Sequence, residues 1–194
     1  MADRHRLLAF AGSTRTESFN KKLVRIAAQG AENAGADVTV IDLRDYPLAI
    51  YDGDNEAREG VPANAGKLKR LFLAHDGLLI SSPEYNSGMS AILKNVIDWV
   101  SRPETADEKP LACYTGKVAM IMSASPGGLG GIRGLVQLRS VLGNIKVIVL
   151  PEQISISEAH AAFNDDGTLK DAKRQAAVEK LGAALAATVA KLKA

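Results

Sequence analysis

The feature that most constrains this chain is an alternation. Short runs that are apolar on both faces recur at residues 7–11, 38–43, 78–81, 118–123 and 145–150. A strand with a wet side alternates apolar and polar residues. Runs like these instead suit a parallel sheet covered by helices on both faces. Between them lie segments whose apolar residues recur every three or four positions, the helical period. Phe19, Leu23, Ile26, Ala27 and Gly30 share one face, with Gly35 as a stop signal. Met89, Ile92, Leu93, Val96 and Val100 form a second stripe, on a helix predicted over 88–101. Leu129, Ile132, Leu135, Val136 and Leu142 form a looser third, and Val178, Leu181, Leu185, Val189 and Leu192 a C-terminal one. The alternation predicts an α/β doubly wound sheet with right-handed crossovers. Its 194 residues suit one domain, 1–194. Segments 46–63 and 151–167 break the rhythm and read as long polar connections, of a kind more often functional or partner-facing than idle.

Composition excludes several function classes. With 24 Lys and Arg against 22 Asp and Glu, the net charge is +2 and no run of one sign occurs. Neither nucleic acid nor an anionic membrane is therefore an expected partner. A single cysteine, Cys113, makes neither an internal disulfide nor a paired thiolate metal site. The N-terminal apolar run is too short for a signal peptide, and no segment approaches the length needed to span a bilayer. A cytoplasmic location is expected.

In an open α/β sheet, ligands sit beyond the carboxyl ends of the strands, where the strand order reverses. Three turns therefore belong together: "GSTRTESFN" (12–20), "SSPEYN" (81–86) and "SASPGGLGG" (123–131). The first brings hydroxyls, backbone amides and a helix N-terminus to one place and adds the Arg15 fork, a donor set suited to a phosphate. It matches neither a Walker loop nor GxGxxG, which favours a monophosphate over a tightly held pyrophosphate. The rival reading is a polar loop with Ser18 as a helix cap. In the middle turn, Pro83 is expected to leave the amides of Glu84, Tyr85 and Asn86 free for a flat heterocycle, with Tyr85 against its ring. The rival there is a cap by Asn86 or Ser87. Glycines 127, 128, 130 and 131 of the third turn let backbone approach a ligand or form a flexible connection.

The chain resembles the NAD(P)H-dependent FMN reductases of flavodoxin-like fold, which include soluble quinone, chromate and ferric reductases. The family pattern GSxRxxSxN reads here as Gly12, Ser13, Arg15, Ser18 and Asn20. The pattern PEYNxxxxxxLKNxxDW reads as Pro83, Glu84, Tyr85, Asn86, Leu93, Lys94, Asn95, Asp98 and Trp99. The resemblance implies a five-stranded parallel sheet in the order 2-1-3-4-5, with FMN as cofactor and NADH or NADPH as co-substrate. It implies that Ser13, Thr14, Arg15, Ser18, Phe19 and Asn20 hold the phosphate and ribityl chain, and that Pro83, Glu84, Tyr85 and Asn86 line the ring. The third turn is about one residue longer than in the family, so only Ser123 carries over from it. Family members are dimers or dimers of dimers, which implies self-association, with Arg133 and Glu152 as inter-dimer contacts.

A flavin performs hydride transfer itself, so such a chain needs no catalytic acid, base or metal. None is assigned: His5, His75 and His160 lie outside the three turns, and His75 and Cys113 read as structural or ordinary groups. Small-molecule electron acceptors are the expected partners. A flavodoxin-like electron carrier without nicotinamide activity is the alternative, but such carriers are usually strongly acidic, which a charge of +2 disfavours. A regulatory domain of the same fold needs an acidic cluster after the first strand, where Arg15 and serines stand instead.

Overall fold

The alternation builds a parallel sheet. The computed structural model describes residues 5–193. Its five parallel strands are β1 (Arg6–Ala11), β2 (Asp37–Ile41), β3 (Gly77–Ser81), β6 (Val118–Ala124) and β7 (Ile148–Ile156), in the order β2-β1-β3-β6-β7. This is the flavodoxin-like order expected from the sequence, with β6 and β7 as fourth and fifth members. The helices are α1 (Phe19–Asn33), α2 (Gly53–Glu59), α3 (Ala63–Ala74), α4 (Ala91–Val100), α5 (Ile132–Asn144), α6 (Ala159–Ala162) and α7 (Ala172–Lys193). Successive strand residues face opposite sides of a sheet. Leu7, Ala9, Leu79, Met120 and Met122 accordingly join α1 and α7 in one core, while Leu8, Phe10, Leu78, Ile80 and Ile121 join α3, α4 and α5 in the other.

The first core depends on two glycines. A Cβ on Gly30 of α1 would lie 2.0 Å from the Glu179 carbonyl oxygen, and one on Gly182 of α7 would lie 1.8 Å from that of Ala27. The helices touch backbone to backbone at both points, and no side chain fits between them. Gly35 takes φ +92° just beyond α1, the left-handed conformation that ends a helix.

Register brings the three turns to one edge. Ala11 pairs with Ser81, and Ser81 with Met122. The Gly12 amide donates to the Ser81 carbonyl at 2.8 Å, and the Ser82 amide to that of Met122 at 2.9 Å. The chain therefore leaves β1, β3 and β6 at the same level.

Several expectations need correction. Residues 46–63 are not wholly irregular: α2 lies within them, its amides capped by Asp52. They are also strapped to α4, since Asn95 Nδ2 and Trp99 Nε1 both donate to the Ala49 carbonyl, at 2.9 and 2.8 Å. Helix α3 leaves no clear apolar period in the sequence, because its buried face mixes Leu68 and Phe72 with Ala65, Gly66 and Lys69. The last strand begins later than expected and runs through Pro151 to Ile156. A register shift between Ala119 and Ile121 lets the edge strand accommodate that proline. Leu129 precedes α5, and Ile132 and Val136 are exposed, so the α5 core stripe is Leu135, Leu138 and Leu142. His75 is buried and its ring reaches the Leu71 carbonyl and Thr39 hydroxyl, a structural role. Cys113 is buried, and burial pushes its thiol up, which keeps it protonated and unreactive.

Replacing Gly182 with Ala forces the two backbones apart. The expected loss is about 1–3 kcal/mol of stability, measured by urea unfolding. An unchanged midpoint would contradict the close approach.

Candidate active site

At the carboxyl edge, a cavity of about 190 Å³ is lined by Ser13, Arg15, Ser18, Phe19, Asn20, Pro83, Glu84, Tyr85, Ala124, Ser125 and Pro126. Eight of these are residues predicted from sequence, drawn from the first two turns.

The first turn is built to leave donors unused. Ser18 stands at the N-cap of α1, but its hydroxyl makes no capping bond. The Lys21 and Lys22 amides reach the Ser18 carbonyl, while the Phe19 and Asn20 amides find no acceptor among the described residues. No acidic side chain occupies the first turn of α1, so its positive end is unneutralised. This donor set fits a phosphate, and the simple cap reading of Ser18 fails on geometry. The Phe19 ring stacks on Phe163 with centroids 5.9 Å apart.

Asn20 lines the cavity and has a structural part besides. Its Nδ2 donates to the Ala124 carbonyl at 2.8 Å, while its Oδ1 accepts from the Ala124 amide at 2.9 Å and from the Ser81 hydroxyl at 2.8 Å. That side chain ties the three turns together, so its backbone amide is the donor it has left to offer.

The middle turn is a hairpin, which corrects the expectation of three free amides. Strand β4 (Glu84–Tyr85) pairs antiparallel with β5 (Gly88–Met89). Asn86 and Ser87 form the turn with φ of 51° and 67°, the paired left-handed residues of a tight hairpin. Helix α4 starts only at Ala91, capped by Ser90 rather than Asn86 or Ser87; Met89 therefore belongs to the hairpin. Ser90 Oγ also donates to the Gly12 carbonyl at 2.6 Å. A Cβ on Gly12 would lie 2.9 Å from the Leu93 Cβ, so glycine is needed where the first turn passes α4. Tyr85 is 55% exposed at the cavity rim.

The Glu84 carboxylate is held by the start of α5. Arg133 donates to its Oε1 from Nε at 2.9 Å and from a terminal nitrogen at 2.6 Å, and the Gly134 amide donates to Oε2 at 3.0 Å. Burial alone would raise this carboxyl, but the Arg133 guanidinium and the Gly134 amide outweigh it and hold it below its ordinary value. Arg133 is thus engaged within its own chain, and Glu152 lies exposed on the edge strand.

Three predicted residues fall outside the cavity. Thr14 is exposed and its carbonyl is taken by Arg44. Asn86 is committed to the hairpin turn, which points it to solvent. Ser123 is wholly buried behind the third turn, where a Cβ on Gly131 would lie 1.9 Å from its hydroxyl oxygen, an atom with no hydrogen-bond partner in the described structure. From that turn the cavity takes Ala124, Ser125 and Pro126 instead, so the glycines at 127–131 do not line it. Sequence reasoning missed this because a glycine run draws attention to backbone approach. The signal available was Ser125-Pro126, a fixed turn entry directly after the strand. Among the described residues no group of His, Cys, Asp and Glu is placed to hold a metal ion.

A cavity lined by hydroxyls and Arg15 beside a helix N-terminus, with an exposed tyrosine at its rim, lies where open α/β sheets bind their ligands. Comparison with known proteins agrees. The sequence model of the NADPH-dependent FMN reductases matches residues 5–161. The chain is 34% identical to an NAD(P)H-dependent FMN reductase of Pseudomonas aeruginosa over 194 residues, the full length of both. It is 34% identical to a quinone reductase of Escherichia coli over 151 residues, 77% of this chain and 76% of that one. The structure of the flavoenzyme NAD(P)H:(acceptor) oxidoreductase FerB from Paracoccus denitrificans superposes with a TM-score of 0.78 at 26% identity, covering 96% of this chain and 98% of the other. The chain belongs to the NADPH-dependent FMN reductase family. It is an oxidoreductase whose cofactor is FMN and whose reductant is NAD(P)H.

The depressed Glu84 pKa has a consequence for stability. A carboxyl whose folded pKa lies below its ordinary 4.5 stabilises the fold above that pH and loses the effect as pH falls through the folded value. The urea midpoint of the parent should therefore exceed that of Glu84→Gln at neutral pH, and the gap should close below about pH 4.5. A gap independent of pH would contradict the ion pair.

Proposed function

We propose that this protein reduces quinones, and by the same route other acceptors such as chromate, ferric complexes and free flavin, in two half-reactions at one site. The observation that carries this reading is the cavity at 13–20 and 83–85, with the uncapped Ser18 hydroxyl among its lining residues and an exposed tyrosine at its rim. Ser13, Arg15 and Ser18, with the Phe19 and Asn20 amides, would take the phosphate and adjoining chain of FMN. Pro83, Tyr85 and the Glu84 backbone would take the ring. Bound there, FMN would supply the redox chemistry, carrying a hydride equivalent from NAD(P)H to an acceptor, which as a quinone would gain two electrons and two protons to become a hydroquinone.

This chain's own contribution is placement. The Arg15 guanidinium is a planar fork of N–H donors, which matches the geometry of phosphate oxygens. Pro83 and the hairpin turn fix Tyr85 without depending on a ligand. Because Tyr85 is exposed at the rim, a ring held against Pro83 and Tyr85 would be open to solvent on one face. Nicotinamide and acceptor would then occupy that face in turn, which favours breadth of acceptors over selectivity. No side chain in the cavity is assigned as an acid or base.

Self-association is part of the proposal. A groove of about 600 Å³ lined by Tyr85, Met89, Ala91, Lys94, Gln137, Ser140 and Val141 adjoins the site, and exposed Val136 lies one helical step away. Such apolar exposure beside a ligand site supports a dimer, as does the resemblance to a family of dimers. Sedimentation at micromolar concentration that gives only monomer would contradict it.

The test of function is anaerobic addition of NADH or NADPH to the FMN-loaded protein, followed by a quinone. Bleaching on the first addition and return of colour on the second is expected; a flavin that stays yellow would favour an electron carrier. Arg15→Ala should lower FMN affinity by about tenfold or more, as expected on losing a charge-assisted hydrogen bond, with little change in the urea midpoint. Undiminished flavin content in that variant would sink the phosphate assignment.

A further inference from the structure

Arg44 lies outside the cavity and outside both sequence motifs, yet its side chain ends on the first turn. Its Nε donates to the Thr14 carbonyl at 3.0 Å, and one terminal nitrogen donates both to that carbonyl and to Thr16 Oγ1, the latter at 3.0 Å. Arg44 is itself held in place. Asp42 Oδ1 accepts its backbone amide at 3.0 Å, capping the single 3-10 turn Leu43–Asp45 that follows β2. The other Asp42 oxygen pairs with the largely buried Lys21 ammonium in the first turn of α1. The end of the edge strand thus grips the first turn at Thr14 and Thr16 and again just beyond it at Lys21.

We propose that Arg44 is a positioning residue for phosphate binding, a clamp that holds the turn in its receptive shape before the ligand arrives. The inference rests on the phosphate reading of residues 13–20. In a planar trans peptide the carbonyl and the following N–H point in opposite directions. Drawing the Thr14 carbonyl toward Arg44 therefore turns the Arg15 amide the other way, toward Ser13 Oγ at 3.3 Å, and Ser13 lines the cavity. Residues 14–17 are exposed and have no sheet or helix to fix them. Without the clamp, their ordering would fall on the binding step and weaken it. A lysine at 44 would keep the charge but could not make the fork.

The test is titration of the apo-protein with FMN and, separately, with riboflavin, which lacks the phosphate, followed by quenching of flavin fluorescence. Wild type, Arg44→Ala and Arg44→Lys are compared, with a urea midpoint for each. The wild type is expected to prefer FMN. Both variants should lose about tenfold of FMN affinity while holding riboflavin as the wild type does. Equal losses for the two flavins would overturn the clamp and make Arg44 a support of the whole fold. FMN binding by Arg44→Lys equal to wild type would also overturn it, because charge alone would then suffice. A wild type that binds riboflavin as tightly as FMN would instead remove the phosphate reading, and the clamp with it. If Arg44→Ala does not fold, Arg44→Lys decides the question by the same comparison.

Discussion

The site depends first on one side-chain amide. Asn20 offers a donor and an acceptor in one plane, and Ala124 of the third turn meets both with its carbonyl and its amide, as a strand partner would. Ser81 closes the arrangement from the end of the middle strand. Each bond has a net value of about 1 kcal/mol, but the groups are buried, and leaving one unpaired costs about 1–3 kcal/mol. An aspartate would set a carboxylate against the Ala124 carbonyl, and an alanine would strand both Ala124 groups. The consequence is geometric: three turns that leave separate strands are fixed at one height, so the donors of residues 13–20 face the hairpin of residues 84–89 across a cavity.

The second motif divides its labour. Its first half, Pro83, Glu84 and Tyr85, lies at the cavity. Its second half builds the support, with Leu93 packed under Gly12 and Asn95 and Trp99 gripping the Ala49 carbonyl. The Lys94–Asp98 pair lies on the exposed face of α4. Glu84 belongs to both halves: its backbone borders the ligand space, while its carboxylate answers Arg133 and the start of α5. That carboxylate satisfies helix amides for which Gly131, in a left-handed conformation, offers no side chain.

Much of this was legible in the sequence, for physical reasons. Strands buried on both faces leave an unmistakable apolar run, and Gly30 and Gly35 signal a buried helix face and its end. The order of the strands and the gathering of the first two turns followed from that pattern and the motif resemblance. What was not legible depends either on a local backbone conformation that the side chains barely signal or on contacts across long separations. Whether Pro83 frees amides or leads into a hairpin depends on Asn86 and Ser87 adopting positive φ, and serine gives little local warning of that. Thr14 looks like a phosphate hydroxyl until Arg44, thirty residues later, takes its carbonyl. The strand through Pro151 reads as a loop because a proline is tolerated only where the register shifts, and the extra residues of that shift, between Val149 and Gln153, show only against the partner strand.

The central claim is that the turn at 12–20 holds the phosphate of FMN and that residues 83–85, leading into the hairpin, hold its ring. A crystal structure of the protein with FMN tests this most directly. The account predicts phosphate density among the Ser13, Arg15 and Ser18 side chains and the first amides of α1, with the ring against Pro83 and Tyr85. Flavin density elsewhere, or a phosphate turned out to solvent, would contradict it.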